Sequence, residues 1–376
     1  MKLAFCLFYY FPHGGLQRDF MRIATACRDR GHTLDVYTLY WKEPIPEGFN
    51  VYVINNKIRS NHQRINQFVA DVQARLTTHD YDLVIGFNRM PGLDIYYGAD
   101  CCFVAKSQYR KNPLLKLTQR YRYYARLEAA VFGPNAHTNI LLISEREKQL
   151  YQKHYGTSEQ RIYLLPPGID QDRRAPPNAV NIRAAMRDQY KLAPNNFLLL
   201  AIGSGFKTKG VDRSIRALAS LNKHKRQQCK LFIIGHGNKT KYKLLAKRLG
   251  VKEQVYFLGL CDDIPRWLLA ADLLLHPART ENTGTVLLEA LVAGLPVLAS
   301  ANCGYAKYIT EAQAGRIIPE TFSQANMNVL LSDMLNKTQL TIWQHNALNY
   351  SQHANLFGLV ENAVNFIEQH LKTKMA

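Results

Sequence analysis

Short apolar runs alternate with longer amphipathic stretches along almost the whole chain, and that alternation leaves few folds open. Residues 3–8, 33–37, 83–87 and 139–143 read as buried strands in the first half, and 198–202, 230–234, 255–258, 273–276 and 296–299 in the second. Runs this short and this apolar suit strands covered on both faces. Residues 17–30 read as a helix closed by Gly31, and 211–221 as another behind the turn 203–210. The last segment places Leu359, Val360, Ala363, Val364, Ile367 and Leu371 at helical spacing. The expected class is α/β, with parallel sheets and crossover helices.

A chain of 376 residues is too long for one ordinary core. The pattern breaks at Pro166-Pro167-Gly168 and again in the polar, proline-bearing stretch 173–178, after which strand and helix alternate afresh. The expected division is a first domain over 1–168, a second over 169–353, and a terminal helix within 354–376 that returns to the first. Ligands in doubly wound sheets bind at the carboxyl ends of the strands.

Basic residues exceed acidic ones by a formal charge of +19. Such a field favours polyanionic partners: nucleic acid, an anionic membrane or a phosphorylated substrate. The cysteines number seven, an odd count with no C-x-x-C pair, so neither a zinc site nor a disulfide framework is expected and a reducing compartment fits. The apolar N-terminal run stops at Pro12-His13-Gly14-Gly15 with no small-residue cleavage site, which suits a first strand better than a secretory leader. No run reaches the ~18 apolar residues of a membrane span. The expectation is a protein that is soluble or rests on a membrane surface without crossing it.

The densest chemistry lies at Glu281-Asn282-Thr283-Gly284-Thr285-Val286-Leu287-Leu288-Glu289. Two carboxylates flank a glycine turn, with a strand before and a helix after. Gly284 lets backbone approach a ligand, and the following helix N-terminus offers amides to a phosphate. Glu289 could accept both hydroxyls of a ribose, and Glu281 those of a sugar. The bland alternative is a solvated loop glutamate and a helix-face charge. Lys209, between a strand and the helix at 211, could neutralise a leaving diphosphate. Asp170-Gln171-Asp172 and Asp80-Tyr81-Asp82 have D-x-D spacing, but arginines follow the first at once and the second merely precedes a strand, so no metal site is expected. A dinucleotide-binding oxidoreductase would need a third glycine where Thr208 stands.

The frame from Ala271-Asp272 through His276-Pro277, Glu281, Gly284, Glu289-Ala290 and Gly294-Leu295-Pro296-Val297 to Gly304 and Gly315 resembles the retaining glycosyltransferase family 4. Gly203–Gly210 is similar to that family's cation-bearing loop, 166–170 to its interdomain motif, and Gly14-Gly15 to its N-terminal glycine loop. The resemblance implies a GT-B fold: two Rossmann-like doubly wound domains facing a deep cleft. It implies a nucleotide-sugar site made of Gly15, Arg173, Lys209, Glu281, Asn282, Gly284, Thr285, Val286 and Glu289, to which Asp100 is added because it follows an apparent strand end at 96–99. The loop lacks the family's usual arginine before the lysine, and Arg173 is the expected substitute. Asp19, placed on the first turn of the N-terminal helix, is expected to orient the acceptor or take its proton; its bland role is to complement the helix dipole. Asp19, Lys209, Arg173 and Glu281 are the expected catalytic groups.

The strings at 11–24, 86–94, 165–169 and 209–221 are similar to the branch of that family that glucosylates the lipopolysaccharide core. That closer resemblance implies UDP-glucose as donor, an inner-core heptose as acceptor, retention of the α-configuration and no metal or other cofactor. It also implies residence at the cytoplasmic face of the inner membrane. The basic excess then has a place. Lys106, Arg110, Lys111, Lys116, Arg120, Arg122 and Arg126 lie in one stretch without an acidic residue, interleaved with Tyr109, Tyr121, Tyr123 and Tyr124. Cations and tyrosines suit an anionic membrane interface. A solvated helix face is the bland reading, and nucleic acid would ask for similar residues; the transferase frame favours the membrane. A related transferase with another nucleotide-sugar or acceptor, a nucleotide-sugar epimerase or phosphorylase on the same architecture, and a non-catalytic membrane binder are the rival functions.

Overall fold

The structure, a computed structural model, describes residues 1–12, 14–108 and 113–375. It divides into two compact units: Met1–Gly168 with Phe357–Ala376, and Ile169–Leu356.

The first unit is built on a seven-stranded sheet of β1 (Lys2–Cys6), β2 (Thr33–Thr38), β3 (Phe49–Val53), β4 (Leu83–Gly86), β5 (Ile95–Gly98), β6 (Asn139–Leu142) and β7 (Ile162–Leu164), ordered β3-β2-β1-β4-β5-β6-β7. All neighbouring pairs are parallel. β1 runs down the middle, with Leu3 opposite Leu34 on one side and Leu83 on the other. Successive side chains of a strand point to opposite faces. Leu3 and Phe5 accordingly join one core cluster, while Ala4 and Cys6 join the other. The sequence pattern found β1, β2, β4 and β6 but gave no full run for β5, although that strand is buried throughout. It passed over β3 and β7, which lie at the sheet edges and are partly exposed.

The Gly15–Asp29 helix begins earlier than expected, because Gly14 is extended and the Arg18 amide bonds back to the Gly14 carbonyl at 2.9 Å. Asp19 therefore lies in the second helical turn, a correction to its expected place in the first. The Leu359–Met375 helix packs along this helix. Leu359, Ala363, Val364, Ile367 and Leu371 enter the same core as Phe20 and Ile23, and Arg30 bonds Glu361 at 2.7 Å and Glu368 at 2.9 Å.

The second unit carries a six-stranded parallel sheet: β8 (Phe197–Ile202), β9 (Cys229–Ile234), β10 (Val255–Gly259), β11 (Leu273–His276), β12 (Val297–Ser300) and β13 (Gly315–Ile318), ordered β10-β9-β8-β11-β12-β13. Both sheets thus share the doubly wound strand order, which reverses direction beside the first strand. Among the described residues no helix is long and apolar enough to cross a membrane.

The loop between β8 and the Val211–Ser220 helix passes hard against the loop after β11. Gly210 has φ +71°, and a Cβ there would sit 2.1 Å from the Pro277 carbonyl oxygen. The left-handed conformation alone costs an L-residue roughly 1–2 kcal/mol. Gly210→Ala should therefore lower the thermal unfolding midpoint by at least about 2 °C, taking about 2–4 °C per kcal/mol for a unit this size. An unchanged midpoint in a calorimetric scan would contradict this loop geometry.

Candidate functional site

In the second unit β8 and β11 are neighbours, so the loops at their carboxyl ends, 203–210 and 277–284, are brought side by side. The Arg279 amide donates to the Thr208 carbonyl at 2.8 Å, and its guanidinium donates to the Lys207 carbonyl at 2.8 Å. That guanidinium also grips the Asp212 carboxylate through both nitrogens, at 2.9 and 2.7 Å. Arg213 completes the seam with a bond to the Pro277 carbonyl at 3.0 Å.

This seam brings together Lys209 and Glu281, whose ammonium donates directly to the carboxylate. His276, the last residue of β11, places Nε2 3.4 Å from the same carboxylate oxygen. The lysine stem lies across Gly203, where a Cβ would stand 2.8 Å from Lys209 Cε. Any larger residue there would lift the ammonium away from the strand ends. Burial would raise the Glu281 carboxyl, but the His276 hydrogen bond and the Lys209 charge outweigh it and hold it near 2. Asp212 is likewise lowered: burial pushes it up, and the Arg279 hydrogen bond and charge more than compensate.

The carboxylate-bearing turn continues into the Thr285–Val292 helix. Gly284 is its N-cap, at φ +83°, and brings no side chain of its own to the first turn, which starts with Thr285 and Val286. Asn282 and Glu289 are both buried. The turn is pinned to the loop after β12, where Gly304 donates to the Asn282 carbonyl at 3.1 Å and Tyr305 to the Thr283 carbonyl at 2.8 Å. Arg173 lies on the Gln171–Arg173 turn with Nε 3.5 Å from its neighbour Asp172. The chain just beyond it bonds the other end of the helix, Ala175 amide to Val292 carbonyl at 3.0 Å.

In the first unit Gly15 opens the N-terminal helix, and Asp19 is buried, accepting a hydrogen bond from Tyr97 of β5 at 2.8 Å. Asp100, just past the end of β5, has an exposed side chain while its carbonyl accepts from Tyr151 at 2.9 Å. Asp82 holds the Lys2 amide at 2.7 Å, a structural role. Of the basic stretch, Lys106, Lys116, Arg120 and Arg122 are exposed, and Arg126 bonds Asn66 at 3.0 Å. Arg110, Lys111, Tyr109 and His13 lie outside the described residues. Leu117, beside Lys116, is 63% exposed. Phe103, Lys106, Leu115, Arg120, Tyr121 and Tyr124 line a cavity of about 330 Å³.

Sequence reasoning missed His276, Arg279 and Asp212, as well as a buried network beneath the basic stretch. Glu128, fully buried, pairs with Arg89 at 3.1 Å and accepts the amides of Phe103 and Val104 at 2.7 and 3.0 Å. Glu147 accepts the Cys102 amide at 2.6 Å. The available signal was a glutamate inside an apolar stripe, because Glu128 shares a buried helix face with Leu127, Val131 and Phe132.

A carboxyl held low in the folded state contributes stability that is fully present above its unfolded value and is lost as pH falls through the folded one. For Glu281 that window runs from about 4.5 down to about 2. The unfolding midpoint of the protein should fall more steeply with acid in this window than that of Glu281→Gln. Parallel profiles measured by scanning fluorimetry would show that the carboxylate carries no such coupling.

Residues 13–173 match the family described as Glycosyltransferase Family 4, and residues 182–349 match Glycosyl transferases group 1. The chain is 44% identical to the lipopolysaccharide glucosyltransferase WaaG of Escherichia coli K12, over 98% of each. A crystal structure of WaaG, described as a glycosyltransferase involved in lipopolysaccharide biosynthesis, superposes with a TM-score of 0.90 at 43% identity, covering 97% of this chain and 99% of that one. Anabaena HepE in complex with UDP-glucose shares the fold at a TM-score of 0.72 and 22% identity, over 99% and 100% of the two chains. With its paired doubly wound sheets and this identity over nearly its whole length, the chain belongs to the GT-B glycosyltransferase family that includes WaaG.

Proposed function

We propose that this protein moves α-glucose from UDP-glucose to an inner-core heptose of lipopolysaccharide, with retention and without a metal ion. The observation that carries this reading is the Lys209–Glu281 pair at the ends of two adjacent strands, beside a helix N-terminus whose cap is a glycine. The relative at 44% identity, a lipopolysaccharide glucosyltransferase, supports glucose as the sugar and lipopolysaccharide as the acceptor.

Before the donor binds, lysine and glutamate neutralise one another. On binding, the ammonium exchanges its carboxylate for the diphosphate, and the carboxylate turns to sugar hydroxyls. Each new charge-assisted hydrogen bond is worth roughly 1.5–3 kcal/mol. The amides of Asn282, Thr285 and Val286 face the phosphates, Gly284 gives them access, Glu289 takes the ribose hydroxyls and Arg173 adds a second cation. From the first unit, the Gly15 amide and Asp100 serve the donor, and Asp19, held by Tyr97, orients the acceptor. In the same-face route an acceptor hydroxyl oxygen bonds to the glucose anomeric carbon as the bond to UDP breaks. The hydroxyl proton passes to the leaving phosphate. Lys209 and Arg173 stabilise the charge building there, the electrostatic contribution that usually dominates such steps.

The enzyme is proposed to work at the cytoplasmic face of the inner membrane, attached through Lys106–Arg126. Exposed Leu117 beside Lys116, and the aromatic-walled cavity rimmed by Lys106 and Arg120, suit a contact that is part charge and part apolar. Each basic residue near an anionic bilayer contributes about 1 kcal/mol. Three or four engaged at once give roughly 3–4 kcal/mol, enough for reversible attachment.

UDP should raise the unfolding midpoint equally with and without EDTA; loss of the shift in EDTA would overturn metal independence. Lys209→Ala and Glu289→Ala should each lower glucose transfer to heptose-terminated lipopolysaccharide at least about tenfold, one lost charged bond at the transition state. UDP release without any acceptor would favour an epimerase instead. Neutralising Lys116, Arg120 and Arg122 together should cut binding to anionic vesicles while leaving UDP binding intact; salt near ~1 M, with a Debye length of about 3 Å, should release the unmutated protein too.

A further inference from the structure

The second unit carries a basic groove that the transfer reaction does not use. The Lys239–Arg248 helix lies beside β10, an edge strand of the six-stranded sheet, and between them is a cavity of about 610 Å³. Leu244, Val255, Phe257 and Leu258 wall it with apolar surface, and Lys243, Lys247 and Lys252 stand at its rim. None of the residues of the Lys209–Glu281 seam lines it.

The helix holds Lys239, Lys241, Lys243, Lys247 and Arg248 and no acidic residue. Tyr242 and Ala246 are buried and fasten its inner face, while Lys243 and Lys247 are exposed. These two are one helical turn apart and share a face, an arrangement of like charges that weakens a helix unless an anion sits between them. Leu244, next to Lys243, is 67% exposed, and Leu260, just past the end of β10, is 72% exposed. A groove with an apolar wall and a cationic mouth matches one chemistry: a phosphate diester carrying a hydrocarbon tail. Single-stranded nucleic acid would want successive stacking rings. The walls here are mainly aliphatic, and the exposed ring among the lining residues, Tyr256, already lies 5.9 Å from the Lys230 ammonium.

We propose that this groove binds an anionic phospholipid, with its phosphate between Lys243 and Lys247 and an acyl chain along Leu244, Val255 and Leu258. It would give the second unit a lipid contact of its own. The inference goes beyond the proposed attachment through 106–126 and stands or falls separately from it.

The test uses the full chain carrying Lys116→Ala, Arg120→Ala and Arg122→Ala, so that the first unit's basic patch is silent. Dihexanoyl-phosphatidylglycerol below its micelle concentration should bind saturably, shifting the Leu244 methyl resonances. Dihexanoyl-phosphatidylcholine and inorganic phosphate should bind at least tenfold more weakly. Adding Lys243→Ala with Lys247→Ala, or Leu244→Ser alone, should weaken phosphatidylglycerol binding at least tenfold at an unchanged unfolding midpoint. These positions are exposed, so the fold should tolerate the changes. The proposal is overturned if phosphatidylglycerol fails to bind, if it binds both groove variants as tightly, if phosphate alone binds as well, or if a single-stranded oligonucleotide outcompetes the lipid.

Discussion

In the proposed reaction the Lys209–Glu281 ion pair is where the second unit's fold becomes chemistry. Two adjacent strands end at the same sheet edge, and the loops that leave them are stitched together by Arg279, Asp212 and Arg213 before lysine and glutamate meet. The pair is neither fully buried nor free in solvent: its side chains are 23% and 18% exposed. A fully buried pair would be costly to open, and an exposed one would position nothing. At this intermediate depth the carboxylate stays ionised well below the usual range, and in the proposed reaction an incoming diphosphate competes with it for the ammonium. His276 Nε2 lies 3.4 Å from the same carboxylate oxygen, and in the proposed exchange it remains a partner for the carboxylate when the lysine leaves.

The first unit spends its buried charge differently. Glu128 and Glu147 cap the amides of Cys102, Phe103 and Val104, and Arg89 compensates Glu128. A carboxylate that accepts several amides can remain buried because its lone pairs are satisfied. The outcome is a short Phe103–Gln108 helix anchored at its start, with the exposed cations beyond it. A polar network beneath thus fixes where the surface patch begins, although none of its members faces a ligand in the proposed reaction.

Much of this was legible in the sequence, for identifiable reasons. Central strands such as Leu3–Cys6 and Leu273–His276 are apolar on both faces, and a short unbroken run betrays them. The E-x7-E turn and Lys209 announced themselves because glycines and charges stood where strand gives way to helix. Edge strands such as Phe49–Val53 and Gly315–Ile318 were silent, since a half-exposed strand mixes polar and apolar residues like a loop. Nor could spacing reveal that Lys209 and Glu281 hold one another. They are far apart in sequence, and sheet order alone makes their loops neighbours. His276 read as the end of an apolar strand, and only the fold shows its imidazole turned to Glu281.

The central claim is that donor binding trades this ion pair for two donor contacts. A crystal structure of the complex with UDP-glucose, grown without divalent cations, tests it most directly. The account predicts Lys209 Nζ within hydrogen-bond distance of a diphosphate oxygen and parted from Glu281, with the Glu281 carboxylate on a glucose hydroxyl. An intact Lys209–Glu281 pair beside a fully occupied donor would contradict it.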